Sequence, residues 1–249
     1  MPADGAAAGG GGDRGLLTVY VDIKSPYAYL AIEPTRRLAR QCGVAIDWLP
    51  LTLNIPDYLG SARLDGEGRV VEQERSAHQW RRVKYSYMDV RRYANLRGLT
   101  IRGTQKIWDS SIASIALLYA RAQDAQAQDA RAQGAQAREP AIVERFLDLI
   151  YPPFWRRELD IEDPAVVTGI LAAAGAETAG FADYLAGPGR AEHDRQREAA
   201  EESGIFGVPF YVWQGEGFWG REHLPMLFHR ITGRLPAYAA DLGMAPDSD

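Results

Sequence analysis

Cysteine is nearly absent from this sequence, which contains Cys42 and no other thiol among its 249 residues. One thiol cannot form an intramolecular disulfide, and it cannot supply the thiolates of a cysteine-based zinc site. The four histidines are not spaced as metal ligands, and we expect them at surface or cap positions. These are His78, His193, His223 and His229. The sequence therefore predicts no metal centre.

The chain also lacks an excess of positive charge and any long apolar run. Its formal net charge is −5, which argues against general nucleic-acid binding. No apolar run approaches the length of a membrane span. Residues 1–14 are rich in Ala and Gly and do not combine a basic segment with an apolar one, so they do not predict a secretory signal. With 46% hydrophobic and 24% charged residues, a globular cytoplasmic protein is expected, without nucleic-acid or membrane partners.

A strand–helix–strand unit is indicated near the N-terminus, after a flexible tail at residues 1–14. Residues 16–22 are β-rich and largely apolar, as in a buried strand. Ser25 then offers a helix N-cap and Pro26 a first-turn proline, and Gly43 ends the helical pattern. Residues 44–51 predict a second strand, which would pair in parallel with the first.

The middle of the chain has a helical pattern and the late part returns to strands. Residues 121–139 carry a five-residue repeat of small and polar residues, which predicts an exposed insert without a chemical role, either helical by propensity or disordered. Residues 209–213 and 217–219 bracket a turn and predict a hairpin, followed by a last helix. We predict an α/β fold divided into a split domain, a helical insert and a C-terminal tail. The boundaries are residues 15–55 and 190–235 for the split domain, 56–189 for the insert and 236–249 for the tail.

Three segments in this order resemble one known family. They are residues 25–30 (SPYAYL), 204–209 (GIFGVP) and 218–224 (FWGREHL). They resemble 2-hydroxychromene-2-carboxylate isomerases, which are similar to kappa-class glutathione transferases, both within the DsbA-like thioredoxin superfamily. The resemblance covers residues 16–235 and implies a thioredoxin-like fold with an inserted α-helical domain. In that fold a Cys-x-x-Cys motif lies at the first strand-to-helix junction, where this chain has Ser25 and Ala28.

The resemblance also implies glutathione as the cofactor and assigns roles to particular residues. Ser25 would hydrogen-bond the glutathione sulfur. Val208, before a cis proline at Pro209, would pair its backbone with the cysteinyl part. The turn at Arg221 and Glu222 would receive the γ-glutamyl end.

This chain departs from the family pattern at that turn. The family usually has Asp where this chain has Glu222, and Ser, Asn or Gln where it has Arg221. An extra methylene and a nearby cation would alter the contact. Asn54, just after the second strand, falls where family members contact glutathione, and it is a further candidate.

Each candidate also has an ordinary structural interpretation. From its tetrapeptide alone Ser25 is a helix N-cap, and a proline such as Pro209 is commonly trans. Four residues are candidates for substrate contact, although aromatic residues more often lie in the core and charged ones on a solvated face. They are Tyr27, Lys84, Tyr87 and Trp108. Lys84 would bind a carboxylate, whereas Trp219 is predicted in the core.

The sequence thus favours a glutathione-dependent isomerase or transferase acting on a hydrophobic, aromatic or polyketide-like substrate. Its hydroxyl at Ser25 would stabilise the thiolate of glutathione. The alternative is a non-catalytic protein that binds a peptide or small molecule in the groove around Pro209. A disulfide oxidoreductase is disfavoured because no thiol pair exists. Members of the family are commonly dimers, so a homodimer is also an expectation.

Overall fold

The structure, a computed structural model, describes residues 15–65, 67, 69–133 and 141–236. The strands are β1 (Leu16–Val21), β2 (Ala45–Pro50), β3 (Ala62–Leu64), β4 (Val70–Gln73), β5 (Phe210–Trp213) and β6 (Glu216–Trp219). The helices are α1 (Pro26–Cys42), α2 (Ile55–Leu59), α3 (Ala77–Leu96), α4 (Ser111–Ala132), α5 (Ile142–Trp155), α6 (Pro164–Ala174), α7 (Phe181–Ala186), α8 (Pro188–Glu202) and α9 (Leu224–Thr232). A 3₁₀ turn at Arg221–His223 precedes α9.

A four-stranded sheet forms the centre of the fold, in the order β2-β1-β5-β6. β1 pairs in parallel with β2 and antiparallel with β5, and β5 pairs antiparallel with β6. The parallel pair needs a crossover connection, which α1 provides. Leu17, Val19 and Val21 are at most 1% exposed, so the core lies against β1. The predicted strand–helix–strand unit and late hairpin are confirmed.

Local sequence explains where α1 begins and ends. The Ser25 side chain accepts a hydrogen bond from the backbone N–H of Ala28, and Pro26 occupies the first helical position. Gly43 ends the helix in the left-handed conformation with φ 69°, which glycine adopts without a steric penalty. The helix packs on the sheet, where the Thr35 and Tyr211 hydroxyls lie 3.2 Å apart.

The helical layer is attached to the carboxyl end of β1. Tyr151 of α5 stacks on Tyr29 of α1, with ring centroids 5.2 Å apart. The Tyr151 hydroxyl donates to the backbone oxygen of Asp22 at 3.1 Å. Arg121 of α4 pairs with Asp47 of β2. The Tyr151 contacts hold α5 at the strand end where the first helix starts, and the partly buried Arg121–Asp47 pair holds α4 against β2.

The prediction of a helical insert was wrong in one respect, because residues 56–189 also contain two strands. β3 and β4 form an antiparallel hairpin in this stretch, and α3 starts at Ala77. All of β4 is exposed, so its strand has no alternating core pattern to reveal it. The hairpin connection is held by Asp65, whose carboxylate accepts the backbone N–H groups of Glu67 and Arg69.

The predicted insert at residues 121–139 is helical as far as Ala132, where α4 ends, which is one of the two predicted alternatives. Its predicted exposure was wrong at Asp124, which is buried. Its carboxylate accepts the backbone N–H groups of Ala141, Ile142 and Val143 at 2.9–3.0 Å. Asp124 therefore satisfies the backbone N–H groups at the start of α5, which have no acceptor within the helix. The repeat pattern did not suggest this role. Residues 134–139 lie outside the described part of the chain.

His193 is likewise not at the surface position expected for it. It is 5% exposed, and its Nε2 lies 2.9 Å from the Thr52 hydroxyl, which is 2.8 Å from the Ser114 hydroxyl. The residue joins α8 to the end of β2 and to α4. Burial of a polar ring is tolerated here because both ring nitrogens have partners, the second being Asp194.

Two negative findings apply to the described ranges. No helix there is long and apolar enough to cross a membrane. No group of three or more His, Cys, Asp or Glu side chains there is arranged to hold a metal ion. The segments predicted as tails, 1–14 and 236–249, lie outside the described residues except for Pro236.

Candidate active site

Ser25 lies at the junction between β1 and α1, at the positive end of the helix. Its backbone N–H donates to the Asp22 backbone oxygen at 2.9 Å, which forms a tight turn after the strand. Its Oγ accepts from Ala28 N at 3.2 Å, and the residue is only 6% exposed. Its own O–H hydrogen has no acceptor among the described residues. The hydroxyl is therefore a donor available to an anion at this helix N-terminus.

The segment at Val208 and Pro209 forms a second wall of the same site. The peptide bond between these residues is cis, as the family resemblance predicted. Val208 is 7% exposed, yet its backbone N–H and carbonyl make no hydrogen bond within the described structure. Buried backbone groups are nearly always paired, so these two have room for a partner from outside the chain.

The turn at Gly220, Arg221 and Glu222 forms the third wall. Gly220 donates its N–H to the Pro209 backbone oxygen at 2.9 Å, which holds the turn beside the cis proline. The Glu222 carboxylate folds back against Gly220, whose φ is 100° and where a Cβ would overlap that carboxylate. Arg221 places its guanidinium carbon 3.7 Å from the centroid of the Tyr93 ring. The cation and the carboxylate therefore have separate positions and form no ion pair with each other.

These three walls, with α3 and the loop after it, enclose a cavity of about 1320 Å³. Ligand pockets of roughly 300–1,000 Å³ are common, so this volume exceeds the need of one small molecule. Among the described residues, basic side chains outnumber acidic ones on its lining. The basic ones are Lys24, Arg75, Arg82, Lys84, Arg91, Lys106 and Arg221, and the acidic ones are Asp89 and Glu222. The cavity thus favours anionic ligands.

All four predicted substrate residues line this cavity. The Tyr87 hydroxyl lies 3.1 Å from that of Thr104, and the Lys106 ammonium is 4.4 Å from the Trp108 ring centroid. Lys84 is exposed on α3 and has no hydrogen-bond or ion-pair partner in the described ranges. The fourth is Tyr27, whose surroundings are considered next.

Tyr27 is a neutral hydrogen-bond donor at ordinary pH. Its hydroxyl donates to the Asp89 carboxylate at 3.2 Å. Burial, and then the charge and hydrogen bond of Asp89, raise the pKa of Tyr27 to about 12. Tyr27 therefore keeps its proton across the physiological range and presents an aromatic wall rather than a base.

Asn54 is the predicted site residue that the structure does not bring into the cavity. It is exposed at the start of α2, and its amide donates to the Asp57 carboxylate at 2.6 Å. Its neighbours Leu53 and Ile55 line the cavity instead. The other predicted contacts, from Ser25 to Glu222, share one space.

Two features of the site were missed by the sequence prediction. Trp219 is not in the core, because it is 51% exposed and lines the cavity, with its ring 4.8 Å from that of Phe206. Lys24 also lines the cavity, although its side chain is only 6% exposed. A lysine between a buried strand end and the helix N-cap was the available signal for it.

The fold and the site together define a thioredoxin-like protein without the thiol pair at its reactive junction. A family model described as a DSBA-like thioredoxin domain matches residues 16–232, and the chain belongs to this family. The predicted resemblance to the DsbA-like superfamily is thereby confirmed, as is the thioredoxin-like α/β fold.

Named relatives make the similarity more particular. The 2-hydroxychromene-2-carboxylate isomerase of Pseudomonas putida is 27% identical over 234 residues, which cover 91% of this chain and 98% of the relative. A solved structure of such an isomerase superposes with a TM-score of 0.62 at 19% identity, covering 93% of this chain and 100% of the other. The cytosolic disulfide reductase DsbM of Pseudomonas aeruginosa, solved with GSH, has a TM-score of 0.51 at 18% identity, covering 82% of this chain and 88% of that one.

Proposed function

We propose that this protein is a glutathione-dependent isomerase or transferase that acts on a hydrophobic, aromatic or polyketide-like substrate. The observation that carries the proposal is the pairing of two features on one cavity. Ser25 offers its hydroxyl at the start of α1, and Val208 offers unpaired backbone groups beside the cis Pro209. The first suits a thiolate and the second suits an extended peptide-like ligand.

Disulfide exchange through the chain's own sulfur is disfavoured, because no thiol pair exists. The positions of the usual cysteine pair hold Ser25 and Ala28. Cys42 is at the opposite end of α1, where burial raises the pKa of its thiol. A thiol with a raised pKa is a poor nucleophile, so the reactive sulfur must come from a ligand.

The residues present fit glutathione in three places. The backbone of Val208 would pair with the cysteinyl unit, as the edge of a strand does. The Glu222 carboxylate would accept the ammonium of the γ-glutamyl end, because Arg221 is occupied with the Tyr93 ring and does not neutralise it. Ser25 would hold the sulfur. The DsbM structure with GSH supports the idea that this fold accepts the tripeptide.

Ser25 contributes a hydrogen bond rather than a base. A serine hydroxyl is far too weak a base to remove a thiol proton, but it donates to a thiolate. Bound glutathione supplies a sulfur nucleophile that can add reversibly to a conjugated carbon and so permit rotation about a former double bond. A thiol with a pKa of about 8.5 needs about 1.4–2.8 kcal/mol to lower that value by one to two units. The hydroxyl and the helix N-terminus together are of that order.

The remainder of the cavity would receive the second substrate. Tyr27, Tyr87 and Trp108 offer aromatic walls, and Lys84 offers an unpaired cation for a carboxylate. An aromatic carboxylate such as the substrate in the relatives' name combines both features. The excess of basic residues on the lining also favours a substrate that carries a carboxylate.

A non-catalytic binding protein is the second candidate, and the Glu222 position favours it. This side chain is longer than the family's usual Asp, and its carboxylate folds back against Gly220. If that arrangement prevents glutathione binding, the groove beside Pro209 would serve a thiol-free ligand.

The test is conversion of 2-hydroxychromene-2-carboxylate, followed by absorbance with and without glutathione. The expected result is turnover that requires glutathione and falls at least a hundred-fold in Ser25→Ala, roughly the contribution of a transition-state hydrogen-bond donor. Ser76→Ala is a matched control, because Ser76 caps α3 with the same 3.2 Å hydrogen bond but does not line the cavity. Equal turnover in Ser25→Ala and the wild type would contradict the proposal.

A further inference from the structure

Lys24 is a buried cation directly beside Ser25. Its side chain is 6% exposed, and it lines the same cavity as the Ser25 hydroxyl. Lysine is almost never this buried unless its charge is compensated. The position therefore needs an explanation that packing alone does not give.

The described residues compensate the charge of the Lys24 ammonium only in part. The Lys24 ammonium lies 3.6 Å from the Asp22 carboxylate, beyond hydrogen-bond distance. That carboxylate already accepts two backbone N–H groups, from Lys24 at 3.1 Å and from Leu53 at 2.8 Å. No hydrogen bond of the ammonium is found within the described residues, so its three N–H donors have no protein acceptor there, and Lys24 lines the cavity.

The start of α1 also provides fewer donors than a helix end usually does. Pro26 has no N–H, and the N–H of Ala28 is given to the Ser25 side chain. The N–H of Tyr29 bonds to the Ser25 backbone oxygen. What is left for an anion here is the N–H of Tyr27 and the O–H of Ser25.

We propose that Lys24 is a thiolate-stabilising residue, which supplies the positive charge opposite the sulfur of bound glutathione. The inference rests on the proposed function and deepens it. The thiol proton leaves to solvent, and no oxidant or reductant is involved. Lys24 thereby adds a full positive charge to the dipole of α1 and to the Ser25 hydrogen bond.

Other charged and titratable groups face the same cavity and set the background against which Lys24 acts. The negative charge of Glu222 disfavours a thiolate in the cavity, and the positive charge of Arg221 favours one. The charge of Lys106 is neutralised by Glu162, whose carboxylate lies 2.5 Å from the ammonium. The remaining groups on the lining are the cations Arg75, Arg82, Lys84 and Arg91, the carboxylate Asp89, and the phenols Tyr27, Tyr87 and Tyr93. Asp22 lies beside Lys24 and is not on the lining. The test therefore compares Lys24 with another cation of this lining.

The experiment measures the pKa of bound glutathione from its thiolate absorbance in the ultraviolet. In the wild type it is expected one to two units below about 8.5. Lys24→Met should raise the pKa of bound glutathione by about one unit, which corresponds to about 1.4 kcal/mol. At a pH below the pKa, the variant should therefore hold about ten-fold less thiolate than the wild type. Lys24→Arg keeps the charge and should keep the lowered pKa. Lys106→Met is the control, and it should leave the pKa within about 0.3 unit, a change of two-fold.

Lys24→Met leaves Asp22 buried without its cation, so folding of each variant is checked by circular dichroism. A second measurement needs no variant and compares binding of glutathione sulfonate with that of S-methylglutathione to the wild type. The anionic sulfonate is expected to bind at least ten-fold more tightly than the neutral thioether.

Each outcome distinguishes this inference from the proposed function. Glutathione bound with a lowered pKa that Lys24→Met does not change would overturn the role of Lys24 alone. Tighter binding of the thioether than of the sulfonate would do the same. Absence of glutathione binding by the wild type would overturn the proposed function and this inference together.

Discussion

At the scale of single residues, surroundings decide what an N-cap serine can do. Ser25 and Ser76 both accept a hydrogen bond from the N–H three residues on, at the same 3.2 Å. Ser76 is exposed and forms a capping box with Gln79, which completes its role. Ser25 instead lies beneath a large basic cavity, beside the buried Lys24. The cap motif was visible in the sequence, whereas the cavity above it was not.

Lys84 gives a prediction at this scale. Lys84→Met should raise KM for an aromatic carboxylate about five-fold and change kcat less than two-fold, because an exposed cation contributes roughly 0–1 kcal/mol to an ion pair. Steady-state kinetics measure both constants. Lys84→Arg is the control that retains the charge and should retain KM. A fall in kcat with unchanged KM would contradict a binding role for this residue.

At the scale of elements, sequence predicts best where local chemistry decides. The start of α1 at Ser25 and Pro26, its end at Gly43 and the β5–β6 turn at Gln214 and Gly215 follow from capping and turn preferences. β4 could not be predicted in this way, since its exposed residues show no alternation. The burial of Asp124 in α4 was also missed, because it depends on a long-range contact with the start of α5.

The Asp124 contact supplies a prediction at the element scale. Asp124→Ala should lower the free energy of unfolding by about 2–3 kcal/mol, because three N–H groups at the start of α5 lose their acceptor in a buried place. Asp129→Ala is the matched control, since this residue occupies the corresponding repeat position and is exposed. Urea denaturation measures both. Equal effects of the two variants would contradict the capping role of Asp124.

At the scale of the whole molecule, buried tyrosines connect the layers. Tyr151 joins α5 to the end of β1, and Tyr211 joins β5 to Thr35 of α1. Burial is the main cause that raises the pKa of each, with the charge of Asp22 adding to the effect at Tyr151. Through its strand–helix–strand pattern, the sequence predicted that β1 and β2 pair in parallel. It did not predict these connections, since they depend on which distant surfaces meet.

The raised tyrosine pKa values predict a loss of stability at alkaline pH. A tyrosine whose pKa in the folded state lies above the unfolded value of 10 stabilises the folded state fully below pH 10. This contribution is lost as the pH rises through the folded-state pKa. The free energy of unfolding should therefore fall above pH 10, by up to about 1.4 kcal/mol per pH unit for each such tyrosine. Guanidinium denaturation between pH 8 and 11 follows this, and Tyr211→Phe should make the fall shallower. An unchanged slope in that variant would contradict the assignment.

The cavity also belongs to the scale of the whole molecule, because β1, α3 and the cis-proline segment are far apart in the chain. The family resemblance placed Ser25, Pro209 and Glu222 together, and the structure has them on one lining. Asn54 was placed with them and lies outside that lining, at the exposed start of α2. The resemblance was thus a better guide at the motifs it was based on than at Asn54, which lies outside those three motifs.

The central claim is that this chain activates the thiol of glutathione, and calorimetric titration combined with ultraviolet absorbance tests it most directly. Saturable binding to the wild type should be accompanied by a thiolate signal at neutral pH. In Ser25→Ala the thiolate signal should be lost, and in the Ser76→Ala control it should persist. Binding without a thiolate signal, or a signal that Ser25→Ala leaves intact, would contradict the account.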